Sequence, residues 1–206
     1  MAGLIISFGI SFGLLIVAMT VHEFSHGWVA YKLGDTTAKY SGRLTLNPLA
    51  HIDLFWTFLL PLFLFISTHG RFVFGAAKPV PISYWALKNP RRDIFLISLA
   101  GPLSNFVFAT LLSVIAHVAP LSSVMSFIVA NLILINVVLG VFNLIPIPPL
   151  DGSRIFVSLL PESVAMRFAH LEPVSFIILL ALIWMGALDY ILWPAVRFIL
   201  RLLGVG

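Results

Sequence analysis

Apolar residues run along this chain in long blocks separated by short polar clusters. The first block extends from Leu4 to Tyr31 and ends at Gly34-Asp35. Two more follow Asn89-Pro90-Arg91-Arg92-Asp93, joined by Ala119-Pro120-Leu121-Ser122. About 20 apolar residues suffice for a helix to cross the hydrocarbon core, so the pattern predicts spans over 4–31, 93–118 and 124–144. Residues 54–67 are apolar but too few to cross, which predicts a short or re-entrant segment. Residues 174–203 are apolar again but broken at Gly186, Asp189 and Pro194, as one interrupted helix or a hairpin of two. Ala38 to Leu46 alternate enough to predict a short strand stopped by Asn47-Pro48, and 71–82 reads as a second strand or extended loop. Pro146, Pro148 and Pro149 exclude a regular helix after Leu144. A short helix over Ser153–Leu160 follows them.

Composition turns these blocks into a class. Of 206 residues, 60% are hydrophobic and 10% charged, where a soluble domain carries nearer a quarter charged. The chain is expected to be one polytopic domain over 1–206, with nearly all its mass in the lipid bilayer. The net charge of +4 does not point to nucleic acid, because the basic residues lie between apolar spans, where the positive-inside bias places them. If 54–67 is re-entrant, Lys32, Lys39, Arg43, Arg71, Lys78, Lys88, Arg91, Arg92, Arg154 and Arg167 share one face, while residues 119–123 carry no basic group. That face is expected to be cytoplasmic. With no cysteine in the chain, thiolate metal sites, disulfides and thiol nucleophiles are excluded. The first block lacks a basic leader and is expected to be a span rather than a cleaved signal.

Inside that first span lies His22-Glu23-Phe24-Ser25-His26. Ionisable groups are costly in hydrocarbon and are functional candidates there. On a helix, residues four apart share a face, so both rings can reach one metal ion at about 2.0–2.1 Å. Glu23 stands next to the first ring and can accept a proton from water activated there. A catalytic zinc takes three protein ligands, and Asp151 is the candidate for the third. It follows the proline-stiffened run Asn143-Leu144-Ile145-Pro146-Ile147-Pro148-Pro149-Leu150, and Gly152 after it permits a sharp turn or close approach.

The motifs His22–His26 and Asn143–Gly152 in this apolar setting resemble the site-2 protease family of intramembrane zinc metalloproteases. Ala100-Gly101-Pro102-Leu103-Ser104-Asn105 is similar to the small-residue motif of its intervening core helix. Ser41–Pro48 and Gly75–Pro81 resemble its compact prokaryotic branch without a PDZ domain. The resemblance implies an all-α membrane protein: a three-helix catalytic core plus C-terminal helices, with a small membrane-associated β-hairpin or sheet. It implies one Zn2+ on His22, His26 and Asp151, with Glu23 as general base. Asn143 is the first candidate to stabilise the oxyanion and Asn105 the second. Substrates would be transmembrane segments of other membrane proteins, cut with release to the cytoplasm of a prokaryotic cell. An unwound substrate could be held by strand addition at segments near Leu44 and Val80. Two other functions compete. A His/Asp metal-ion transporter has no use for Glu23 beside the first ring, and an inactive helix-binding scaffold has no use for the complete set. Among the remaining candidates, His51 is expected at the surface or at a cap, with a place near the cleft as the alternative, and His69, His117 and His170 are expected to be structural. Asp189 is expected at a turn. Trp56, Trp85, Trp184 and Trp193 are expected as interfacial anchors.

Overall fold

A computed structural model describes residues 2–59, 61, 62, 66, 75, 77–169 and 172–205. Eight α-helices are described: α1 (Ala2–Lys32), α2 (Thr37–Tyr40), α3 (Pro90–Val118), α4 (Ser123–Asn143), α5 (Asp151–Leu159), α6 (Glu162–Ala169), α7 (Glu172–Trp184) and α8 (Asp189–Leu202). α3 and α4 are each long and apolar enough to cross a bilayer. The pair Val174–Trp184 and Asp189–Leu202, bent by 75°, makes a third span if counted as one. α1 has 31 residues, about 46 Å at 1.5 Å per residue, and carries the histidine motif in its C-terminal half.

Local chemistry sets the ends of these helices. Pro90 occupies the first turn of α3, where its missing N–H costs nothing, and the buried Asp93 accepts the Asn89 N–H at 2.9 Å. Ser122 caps α4 by accepting the Met125 N–H. α4 stops at Asn143, as the prolines beyond it require. Gly186 at φ +70° makes the break between α7 and α8, and Asp189 sits in the first turn of α8. The 174–203 region is therefore two short helices.

The expected β-hairpin is corrected: no strand occurs among the described residues. Residues 37–40 instead close one helical turn. The buried Asp35 accepts the Thr37 N–H at 2.9 Å, and Gly42 at φ +71° turns the chain back, so that Arg43 N–H donates to Ala38 O at 2.8 Å. Carbonyls spent on a turn cannot serve a strand ladder. Beyond it, Pro48–His51 form a 3-10 turn and Leu54–Leu59 a π-helical turn. Of the second expected strand, 71–74 and 76 lie outside the described residues. Residues 77–83 take no regular secondary structure and pair with no neighbouring strand. His69 and His170 also lie outside the described residues.

One apolar core joins α3, α4 and α8 through Ala109, Val129, Ile133, Val137, Val141 and Val196. A second joins Ile145 and Leu150, in the proline-rich turn, to Leu179 of α7 and Leu188. This second core holds the turn that leads into Asp151.

Candidate metal centre and the cleft beside it

His22 and His26 are buried, four residues apart on α1, and their ring centroids lie 4.6 Å apart. Each Nδ1 meets an oxygen on α3. His22 Nδ1 is 2.7 Å from Asn105 Oδ1, and His26 Nδ1 is 2.6 Å from Ile97 O. A backbone carbonyl can only accept, so His26 carries its proton on Nδ1. The same assignment holds for His22. Asn105 Nδ2 faces Ala18 O at 3.3 Å, another pure acceptor, which orients the amide with its oxygen toward the ring. Both Nε2 atoms are then left as lone-pair donors.

Those lone pairs meet the Asp151 carboxylate. Asp151 Oδ2 lies 3.0 Å from His22 Nε2 and 3.2 Å from His26 Nε2, and the two Nε2 atoms are 3.0 Å apart. Three electron-pair donors in so small a triangle repel one another unless a cation stands between them. Ligands at the corners of a tetrahedron with bonds of about 2.0–2.1 Å sit about 3.3 Å apart, so two nitrogens and one carboxylate oxygen in this arrangement suit zinc. The three residues form a metal-capable group among the described residues.

Two glycines allow this approach. A Cβ on Gly101 would lie 2.6 Å from His22 Nε2 and would also strike His26 Nε2, so α3 can pass the rings only without a side chain there. A Cβ on Gly152 would lie 2.6 Å from Ile145 O and would also collide with Leu144 O. The chain after α4 must fold back tightly to present Asp151, and glycine permits it.

The triangle opens on a cleft of about 1740 Å³. Residues of α1, α4, α7 and α8 line it, together with Pro79, Val80 and Ile82. Glu23 and Asn143 both face this cleft. Glu23 Oε2 accepts the Val80 N–H at 2.9 Å, which ties the carboxylate to the segment 77–83. Asn143 Nδ2 donates to Leu139 O at 3.0 Å. Asn105 does not reach the cleft. It is fully buried between α1, α3 and α4, and its Nδ2 also donates to Asn136 Oδ1 at 2.8 Å.

The chain is 41% identical to "Putative zinc metalloprotease YwhC" of Bacillus subtilis (strain 168) over 189 residues, covering 87% of this chain and 82% of that protein. The chain belongs to peptidase family M50. The family model, described as Peptidase family M50, matches residues 114–186, the stretch that holds Asn143 and Asp151. "Putative zinc metalloprotease Rip2" of Mycobacterium tuberculosis (strain ATCC 25618 / H37Rv) is 36% identical over 139 residues, 66% of this chain, which spans about half (52%) of that relative. "Zinc metalloprotease MJ0392" of Methanocaldococcus jannaschii is 28% identical over 157 residues, covering 76% of this chain and 36% of that protein. No solved structure matches the chain significantly. This M50 member is thus a zinc metalloprotease of the site-2 protease family and an integral membrane protein.

Other sequence expectations meet different outcomes. His51 is buried rather than at the surface. Its ring nitrogen Nε2 donates to Thr45 O at 2.8 Å, and its own carbonyl accepts the Lys78 N–H at 2.9 Å. It therefore joins the two loop segments. Trp56, Trp184 and Trp193 line the cleft, whereas Trp85 is 99% exposed. His117 bonds its own helix at Ser113 O. Strand addition at Val80 fails on donors. Pro79 and Pro81 have no N–H, the Lys78 N–H is held by His51 O, and the Val80 N–H by Glu23, so this edge offers no ladder.

Sequence reasoning overlooked Asn136, Ile97 O and the Val80 N–H. The two backbone groups leave no trace in residue identity. Asn136 did leave a signal: it is a polar residue in an apolar helix, seven before Asn143 and so on nearly the same face.

Proposed function

We propose that this M50 protease cuts peptide bonds within or near transmembrane segments of membrane-protein substrates, with zinc on His22, His26 and Asp151 and with Glu23 as general base. The observation that carries this reading is the triangle of Nε2, Nε2 and Oδ2, 3.0–3.2 Å on each side. It opens on a largely apolar cleft whose wall also carries Glu23 and Asn143.

A bound zinc ion supplies the Lewis-acid charge that acidifies water and polarises a carbonyl. The remaining chemistry belongs to the chain. Glu23 takes the proton of the attacking water and returns it to the leaving amine. The Val80 N–H holds one oxygen of that carboxylate at 2.9 Å and so limits its rotation. Asn143 spends one amide hydrogen on Leu139 O. The other remains to donate to the oxyanion as negative charge develops on it. Apolar walls exclude water and strengthen each of these interactions.

The size and place of the cleft support a polypeptide in the membrane as substrate. Its volume of about 1740 Å³ exceeds the roughly 300–1,000 Å³ of a small-molecule site. A substrate helix hides its peptide groups in intrahelical bonds, so it must unwind to enter. The cytoplasmic side is supported by charge: Lys32, Lys39, Arg43 and Lys78 cluster in the segments next to the site, as the positive-inside rule orders them. Released fragments would then reach the cytoplasm, and relatives in bacteria and an archaeon support a prokaryotic cell membrane.

Glu23→Gln tests the reading. The variant is expected to keep one zinc per chain while cleavage falls about 10²–10⁴-fold. Cleavage at the parental rate would remove Glu23 from its role. Comparing membranes that hold the active protein with membranes that hold Glu23→Gln should reveal soluble fragments ending inside a former span only in the first. Identical fragment sets would overturn the substrate class.

A further inference from the structure

We propose that Asn136, acting through Asn105, is a positioning residue that sets the tautomer of His22 and thereby the affinity of the site for zinc. The inference rests on the reading above that His22 holds the ion.

Four groups form one chain from the metal centre into α4, with Ala18 O as a side contact at Asn105. His22 Nδ1 meets Asn105 Oδ1 at 2.7 Å, Asn105 Nδ2 meets Asn136 Oδ1 at 2.8 Å, and Asn136 Nδ2 meets Leu132 O at 2.8 Å. Its direction is settled at the far end. Leu132 O is a backbone carbonyl and can only accept, so the nitrogen of Asn136 faces it and the oxygen faces Asn105. The Asn105 amide must then present hydrogen to Asn136 and oxygen to His22, and Ala18 O imposes the same orientation. Every proton in the chain therefore points away from the metal centre: His22 donates to Asn105, Asn105 to Asn136, and Asn136 to Leu132 O. The only imidazole tautomer that fits carries its hydrogen on Nδ1 and its lone pair on Nε2, 3.0 Å from Asp151 Oδ2.

Burial gives this arrangement weight. Asn105 and Asn136 are both 0% exposed, so water cannot replace a lost partner, and aligned hydrogen bonds at low dielectric polarise one another. Without Asn136, the Asn105 amide loses one of the two acceptors that hold its nitrogen side and can turn that nitrogen toward His22. A ring facing a donor favours hydrogen on Nε2, the tautomer that cannot bind metal there. His26 has no such relay, because a backbone carbonyl fixes its Nδ1 directly. Helix-to-helix adhesion is the ordinary use of a buried asparagine in a membrane bundle. It calls for a hydrogen bond of either polarity and has no reason to affect zinc binding.

The experiment measures zinc affinity of the purified full-length protein by competition with a chelator, for the parent, Asn136→Leu, Asn136→Asp and His22→Ala. Removing an outer partner of a ligating histidine costs about 10–100-fold in metal affinity. Asn136→Leu, one bond further out, is expected near tenfold. Asn136→Asp, kept neutral by burial, still accepts from Asn105 at Oδ1 and donates its O–H to Leu132 O. It is expected to stay within about threefold of the parent, since both bonds of the relay are retained. Parental affinity in Asn136→Leu overturns the proposal, and so does an equal loss in Leu and Asp, which would mark a packing role. Should Asn136→Leu not fold, Asn136→Ala, which adds no bulk, is read by the same criteria. His22→Ala separates the two inferences. If it binds zinc like the parent, the ligand assignment itself fails. If it loses zinc while Asn136→Leu does not, only the relay fails.

Discussion

The polar groups that α1, α3 and α4 bury and the part of the cleft lined by the bent pair α7–α8 are built differently. On the first side, polar groups are buried and each has a directed partner: His26 with Ile97 O, His22 with Asn105, Asn105 with Asn136, Asn136 with Leu132 O. The rings of His22 and His26 press so closely on α3 that Gly101 has no room for a methyl group. On the second side the contacts are apolar, and Val196 of α8 packs into the core of α3 and α4. Leu179 and Leu188 pack on Ile145 and Leu150, while Trp184 is 81% and Tyr190 85% exposed. Hydrogen bonds fix direction, which a metal centre needs to within a few tenths of an ångström. Dispersion contacts are non-directional and tolerate sliding, which suits a wall that must admit differing side chains. The halves meet in the core around Val196 and again at the proline-rich turn, where Leu179 and Leu188 buttress the backbone that presents Asp151.

Three substitutions probe that contrast, in falling order of effect. Gly101→Ala should be the most severe. Its methyl group would stand 2.6 Å from His22 Nε2, so zinc per chain, read by atomic absorption, should drop to background and proteolysis with it. Full zinc occupancy in this variant would show that α3 can back away and that the first side is softer than described. Asn143→Ala should lower kcat by about 10²–10³-fold, as expected for one lost oxyanion donor, with KM and zinc content near parental. A rise in KM at constant kcat would place Asn143 in substrate binding instead. Trp184→Ala, on the opposite wall, should change kcat/KM by less than about tenfold, the range of an exposed contact, and chiefly through KM. A loss as large as that of Asn143→Ala would erase the distinction between the sides.

Some of this site was legible along the chain and some was not, and particular residues show why. The two histidines and Glu23 could be placed because four-residue spacing and an apolar surround are local properties of a helix. The hairpin expected near Ala38 and Val80 fails for a local reason: Asp35 accepts the Thr37 N–H at the start of a helical turn and Gly42 reverses the chain, which outweighs weak alternation. Asn105 could be singled out but not assigned. An asparagine in a small-residue motif can face a cleft or a neighbouring helix, and only packing distinguishes the two. Asn136 was passed over because nothing near it in sequence marks its partner 31 residues away.

By itself the sequence determined a membrane-embedded chain of broken apolar helices, with two rings and a carboxylate presented from one turn of α1. Hydropathy and helical periodicity act over a few residues and need no knowledge of the rest of the chain. The sequence also named Asp151 as the third ligand, but only the tertiary structure brings it, 129 residues beyond His22, to 3.0 and 3.2 Å from the two rings, and only it decides which ring nitrogen carries hydrogen and which asparagine reaches the cleft. Those are matters of direction and of separations of a few ångströms between atoms on different helices. They are settled when close packing removes every other place for the groups to go.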